Sequence, residues 1–192
     1  MASAWTRTFF PRGDGVAFDR VVFFSDAVFA IALTLAAVEI GMPELTGDTN
    51  SVAGLWDAVL DKGAALIGFL VAFIWVAIYW RANHRFVMTL RGMNDRYVLA
   101  TIVYLALIAL LPVPAQMLGE YWGNPLAVSL FAVYASAVSG MEVVLILVAL
   151  RGNLFLAAPS RPFARQAILG SLSPLVVFLT SIPLAFVSTS LA

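Results

Sequence analysis

The stretch "DRVVFFSDAVFAIALTLAAVEIGMP", residues 19–43, decides how this chain is read. From Arg20 to Ile40 it is long and apolar enough to cross a bilayer, which takes about 20 residues. Gly41 and Pro43 then stop it, as expected at a helix C-terminus. Yet Arg20, Ser25 and Asp26 fall in its first two turns, where polar groups are costly. The fold and the function both turn on why they are there.

The rest of the chain has the same character. Of 192 residues, 62% are hydrophobic and 11% charged, against roughly 25% charged in a soluble domain. The mean hydropathy is +0.95. These values imply an integral membrane protein with the bilayer as its first partner. The net charge is zero, which offers no hint of nucleic acid. There is no cysteine, so no disulfide framework and no thiolate metal site, and His84 is the one histidine. Residues 1–18 are mixed in charge, lack the apolar core of a cleavable signal, and read as a cytoplasmic tail. Residues 19–192 read as one membrane domain without repeats.

Further spans are expected from about Gly63 to Trp80, with a start near Leu55 as the alternative, from Tyr97 to Leu118, and from Leu126 to Leu150. Pro112 and Pro114 should bend the end of the third. A fifth starts near Phe163 and carries Pro174 and Pro183, so it reads either as one bent span or as one span plus the start of another. No room for a full sixth remains before Ala192. The fold class is therefore an all-α helical bundle of about five visible spans. Arg7, Arg12 and Arg20 precede the first span; Arg81, Arg85, Arg91 and Arg96 follow the second; Arg151, Arg161 and Arg165 follow the fourth. The alternate loops hold Glu44, Asp48, Asp57, Asp61 and Glu120, with Lys62 the one basic residue. By the positive-inside rule the N-terminus is cytoplasmic.

A helical wheel sorts the first span. With Ile31 at zero and 100° per residue, Leu35 falls near about 40°, Val38 near −20°, Phe24 near 20°, Ala27 near −40° and Thr34 near −60°. This is a narrow, nearly all-apolar stripe. Asp26 falls near about −140° and Ser25 near 120°. Asp26 must then face other helices, with Arg20, Trp80, Asn83, His84 or Arg85 as partners near the same membrane edge. It reads as a hydrogen-bonded strut or, alternatively, as an ion or proton ligand. His84, alone, reads as a donor in a polar cluster rather than a metal ligand. Glu142, in "SAVSGMEVVLIL", reads as a packing group beside Ser136 or Ser139, with a proton relay as the alternative.

Arg20-x-x-x-Phe24-Ser25-Asp26 on a first membrane helix, followed by "IYWRANHRFVMTL" at residues 78–90, resembles the transmembrane protein 175 family of potassium channels. The chain departs from that pattern where relatives often carry a histidine pair, having Asn83-His84 instead. The resemblance implies six helices per repeat, a cytoplasmic N-terminus and a homotetramer whose first helices line the pore. It implies a narrowest ring at Ile31, further rings at Leu35 and Val38, and a pore threonine at Thr34. It also implies a polar cluster behind the pore helix made of Arg20, Ser25, Asp26 and the second-span Trp80, Asn83 and His84.

A filter of backbone carbonyls has no sequence to build it here. A ring of Ile31 side chains would instead make ions shed water, which costs K⁺ less than Na⁺, so the expectation is a moderately K⁺-selective channel with a hydrophobic gate. Thr34 either offsets part of that cost or bonds back to Ala30. Glu39, with Glu44, would gather cations at the outer mouth. The rival reading is a proton-coupled transporter using Asp26 and Glu142; a third is a scaffold without transport. No nucleophile–base pair or metal site points to an enzyme. No cofactor is expected beyond permeant K⁺, and the expected location is the plasma membrane.

Overall fold

The computed structural model describes residues 15–188 except 46 and 49. Arg7 and Arg12 lie outside the described residues. The elements are α1 (Gly15–Val38), α2 (Val52–Leu60), α3 (Gly63–Val87), α4 (Asp95–Leu110), α5 (Pro112–Glu120), α6 (Pro125–Arg151) and α7 (Arg161–Val187). Five stretches are long and apolar enough to span a membrane: Ala17–Val38, Gly63–Val87, Asp95–Glu120, Pro125–Arg151 and Arg161–Val187. The chain is an all-α membrane bundle, and the described residues hold no strand beyond one isolated bridge, Leu90 to Phe155.

Local chemistry explains most boundaries. α1 begins at Gly15, inside the stretch expected as a tail. It ends in a turn closed by Ile40 N–H to the Ala37 carbonyl and Gly41 N–H to the Val38 carbonyl. Gly41 takes a φ of 65°, which glycine adopts without a Cβ penalty. Side chains of Asn94, Asn124 and Ser160 accept backbone N–H bonds at the starts of α4, α6 and α7. α3 runs past Trp80 to Val87, since Arg81 to Arg85 keep a helical backbone after the apolar run stops. The third span breaks once, at Leu111, because Pro112 has no N–H to give and starts a new helix as its first residue.

α7 is one helix despite Pro174 and Pro183. Pro174 orphans the carbonyl of Gly170, and the Ser173 hydroxyl donates to that carbonyl at 3.1 Å. This is how a proline is tolerated where water is scarce.

The third span is the centre of the bundle, with 56% of its apolar window buried, against 22% for the first and 11% for the fifth. Tyr97, Tyr104, Ile108 and Leu111 of that span are fully buried with Phe29, Val76 and Val138. α1 lies at the edge and packs on α3, α4 and α5. Phe29 fills the space against Tyr104, ring centroids 6.1 Å apart. α3 and α5 cross at Gly68 and Gly119, where the two backbones touch without side chains between them. At the arginine-rich end the loops after α3 and α6 pair, Arg91 N–H to the Leu154 carbonyl and Leu156 N–H to the Thr89 carbonyl, both 2.9 Å.

Candidate functional site: the first helix and its brace

The two sides of α1 meet different surroundings. Ser25, Phe29, Ala32 and Ala36 are buried against the bundle. Ile31, Leu35 and Val38 are 55%, 53% and 73% exposed. Phe24, Ala27 and Thr34 share that exposed side. Small residues at 32 and 36 let the helix sit close to its neighbours, while the branched residues point away from them. In a single chain most of this stripe is left uncovered.

Asp26 is held from behind. Its carboxylate accepts the Trp80 indole N–H at 2.9 Å. The Trp80 ring stacks on His84, centroids 5.4 Å apart with a 27° tilt. The helical spacing from Trp80 to His84 puts both rings on one face of α3, so the pair forms a short aromatic column beside α1. Arg20 is exposed and, among the described residues, makes no ion pair with Asp26. The Ser25 hydroxyl donates to the Val21 carbonyl of its own helix at 2.8 Å, so it does not reach Trp80. Asn83 turns to another face of α3, lining a cleft with Glu142. The geometry thus joins Asp26, Trp80 and His84 and separates them from Ser25 and Asn83.

Replacing Trp80 with phenylalanine keeps most of the ring and deletes the donor. The bond is partly exposed, so the expected loss of stability is about 1 kcal/mol, read as a lower Tm of the purified protein. Asp26→Asn, whose amide oxygen still accepts, should lose less. Equal Tm for Trp80→Phe and wild type would show that the bond does not brace the helix.

Thr34 donates its hydroxyl proton to the Ile31 carbonyl at 2.9 Å, three residues back rather than to Ala30. Its oxygen lone pairs stay free on the exposed side. Glu39 and Glu44 are exposed past the end of α1. Glu142 does not pair with the serines of its own helix. Ser136 donates to the Ala132 carbonyl, and Ser139 bonds the Tyr79 hydroxyl at 2.9 Å. Glu142 instead accepts from Tyr104 at 3.3 Å, with Ser171 of α7 alongside. Sequence reasoning passed over Tyr79 and Tyr104. Their signal was present, since a tyrosine inside a span carries a hydroxyl that needs a partner. Among the described residues no cluster of three or more His, Asp or Glu could hold a metal ion.

Residues 20–112 match the family described as "Endosomal/lysosomal potassium channel TMEM175". A potassium channel of Streptomyces collinus is 31% identical over 102 residues, 53% of this chain and 48% of its own length. One from Chamaesiphon minutus is 30% identical over 130 residues, 65% of this chain and 61% of its own. The chain therefore spans less than two thirds of the curated relatives it matches. The crystal structure of a lysosomal potassium-selective channel TMEM175 homologue from Chamaesiphon minutus is similar with a TM-score of 0.65 and 26% identity. That likeness covers 92% of this chain and 90% of the other. Residues 20–112 are thus similar to the TMEM175 potassium-channel family in sequence, and the fold is similar over nearly the whole chain to a bacterial homologue of that channel.

Proposed function

We propose that copies of this chain assemble, as a homotetramer in the plasma membrane, into a moderately K⁺-selective cation channel lined by α1. The observation that carries the reading is the exposed stripe of Ile31, Leu35 and Val38 on a helix whose opposite face is buried. A peripheral helix with one branched apolar stripe can line a pore only if several copies bring their stripes together. The relatives, named as potassium channels, support the same reading. The arginines before α1 and after α3 and α6 support a cytoplasmic N-terminus.

In this reading the Ile31 ring is narrow and offers no ligand. An ion crosses it by giving up part of its water, and K⁺ gives up water more readily than Na⁺. Selectivity is then moderate, and the same ring shuts when it dewets. Thr34, one turn along, presents oxygen lone pairs after spending its proton on the Ile31 carbonyl. Thr34→Val should lower K⁺ flux by about two- to threefold, a fraction of a kcal/mol at the barrier, with little change in K⁺/Na⁺ preference. Unchanged flux would remove Thr34 from the path.

The test of the channel itself is passive K⁺ and Na⁺ flux from liposomes holding the purified protein. Flux under a K⁺ gradient alone supports the channel. No passive flux, with uptake driven by a proton gradient and lost in Asp26→Asn, would replace it with the proton-coupled transporter. The channel reading over that rival is supported by the bond that holds Asp26 to Trp80 and by the lack, among the described residues, of a hydrogen-bonded chain from Asp26 to Glu142.

A further inference from the structure

A cleft of about 370 Å³ opens between α3, α6 and α7, on the side of the chain that does not carry the α1 stripe. It starts at the arginine-rich end, beside Arg85 and Phe163, and runs to mid-helix at Trp75, Glu142 and Ser171. The volume lies within the roughly 300–1,000 Å³ of small-molecule sites. Its walls are mostly carbon, with aromatic rings from Trp75, Phe86 and Phe163. The charged lining groups are two. Arg85 is exposed at the rim. Glu142 is partly buried at the inner end, and its partners are hydroxyls, Tyr104 on α4 and Ser171 on α7. Among the described residues no lysine, arginine or histidine pairs with it.

A carboxylate at membrane depth without a cationic partner is expensive. An apolar cleft leading to it suits a ligand that brings the missing charge on a hydrophobic body. We propose that this cleft binds an amphipathic amine, its ammonium paired with Glu142 and its apolar part lying along Trp75, Phe86 and Phe163. Ser171 adds a hydroxyl acceptor for a second ammonium proton, and the ring faces add cation–π attraction on the way in. The inference does not depend on ion conduction.

The test is equilibrium binding to the purified full chain in detergent, with phenylbutylamine, phenylbutanol and phenylbutyrate as a charge series on one skeleton. The amine should bind saturably and at least about tenfold more tightly than the alcohol, the range expected for hydrogen bonds to a charged group. Glu142→Gln should erase that advantage and leave alcohol binding within about twofold. Because Glu142→Gln disturbs the Tyr104 bond, Gly170→Leu is the second variant. Gly170 lines the cleft, and a Cβ there meets nothing within 4 Å, so a larger side chain can start from this wall without striking backbone. It should weaken amine and alcohol alike. Non-saturating uptake of the amine, equal affinity for amine and alcohol, preference for phenylbutyrate, or full binding in Gly170→Leu would each overturn the proposal.

Discussion

Ile31→Asn is expected to collapse the K⁺/Na⁺ preference of flux toward unity while K⁺ flux stays equal or rises. Isoleucine and asparagine have similar reach, so the ring would keep roughly its width. The difference is chemical. An isoleucine ring makes an ion strip water and returns nothing, and the cost differs between K⁺ and Na⁺. In the proposed tetramer, four asparagine amides would supply oxygens and hold water at this ring, so both ions would cross with less loss of hydration. A preference worth about 1.4 kcal/mol is a tenfold ratio, so even partial rehydration should be visible. The substitution should leave the fold alone, because Ile31 is more than half exposed and lies outside the buried core; Tm should move by no more than about 0.5 kcal/mol of stability implies. Phe29→Asn, two residues away and buried against Tyr104, should instead unfold the protein. If wild-type flux favours K⁺ and Ile31→Asn keeps that ratio, the filter lies elsewhere.

The second large effect is structural. Gly119→Ala should cost about 1–3 kcal/mol or more, as overpacking does. A methyl there would fall on the Gly68 backbone nitrogen and Cα and lie 2.8 Å from the Ala64 carbonyl oxygen. From the other side, a methyl on Gly68 would lie 2.8 Å from the Gln116 Cα. Both walls are backbone, so no side chain can swing aside. Relief requires α5 to move off α3, and α5 also touches α1, where the Gln116 amide reaches the Ala36 carbonyl at 3.4 Å. The expected readouts are a lower Tm, a smaller yield of folded protein and reduced flux per protein. Gly63→Ala, at the start of the facing helix α3, has open space and should match wild type. Equal melting of Gly119→Ala and Gly63→Ala would mean that the two helices cross with room to spare.

Much of this is legible in the sequence. The spans follow from runs of apolar residues of bilayer length, a property each segment carries alone. The stripe of Ile31, Leu35 and Val38 follows from the 3.6-residue period, which is equally local. α3 was read too short because hydropathy marks where lipid ends, and the helix continues into water through Arg81 to Val87. Sequence alone does not decide between one helix and two for α7, since prolines mark lost N–H groups but not the hydroxyls, such as Ser173, that compensate for them.

Partner choice could not be read this way. Five polar groups stood within sequence reach of Asp26, and only the rotation of α3 about its own axis selects Trp80 and sends Asn83 to the opposite cleft. Ser136 and Ser139 were the near neighbours of Glu142 along α6, yet they bond the Ala132 carbonyl and Tyr79, and Glu142 meets Tyr104 from α4. The Gly68–Gly119 crossing joins residues 51 apart, invisible until depth and tilt of both helices are set. Hydropathy and period are properties of one segment, so the chain alone determines which segments are apolar enough to cross and which residues share a face on each. Which side chains then touch depends on the axial rotation, depth and tilt of two helices at once, and those are decided only when the whole bundle packs.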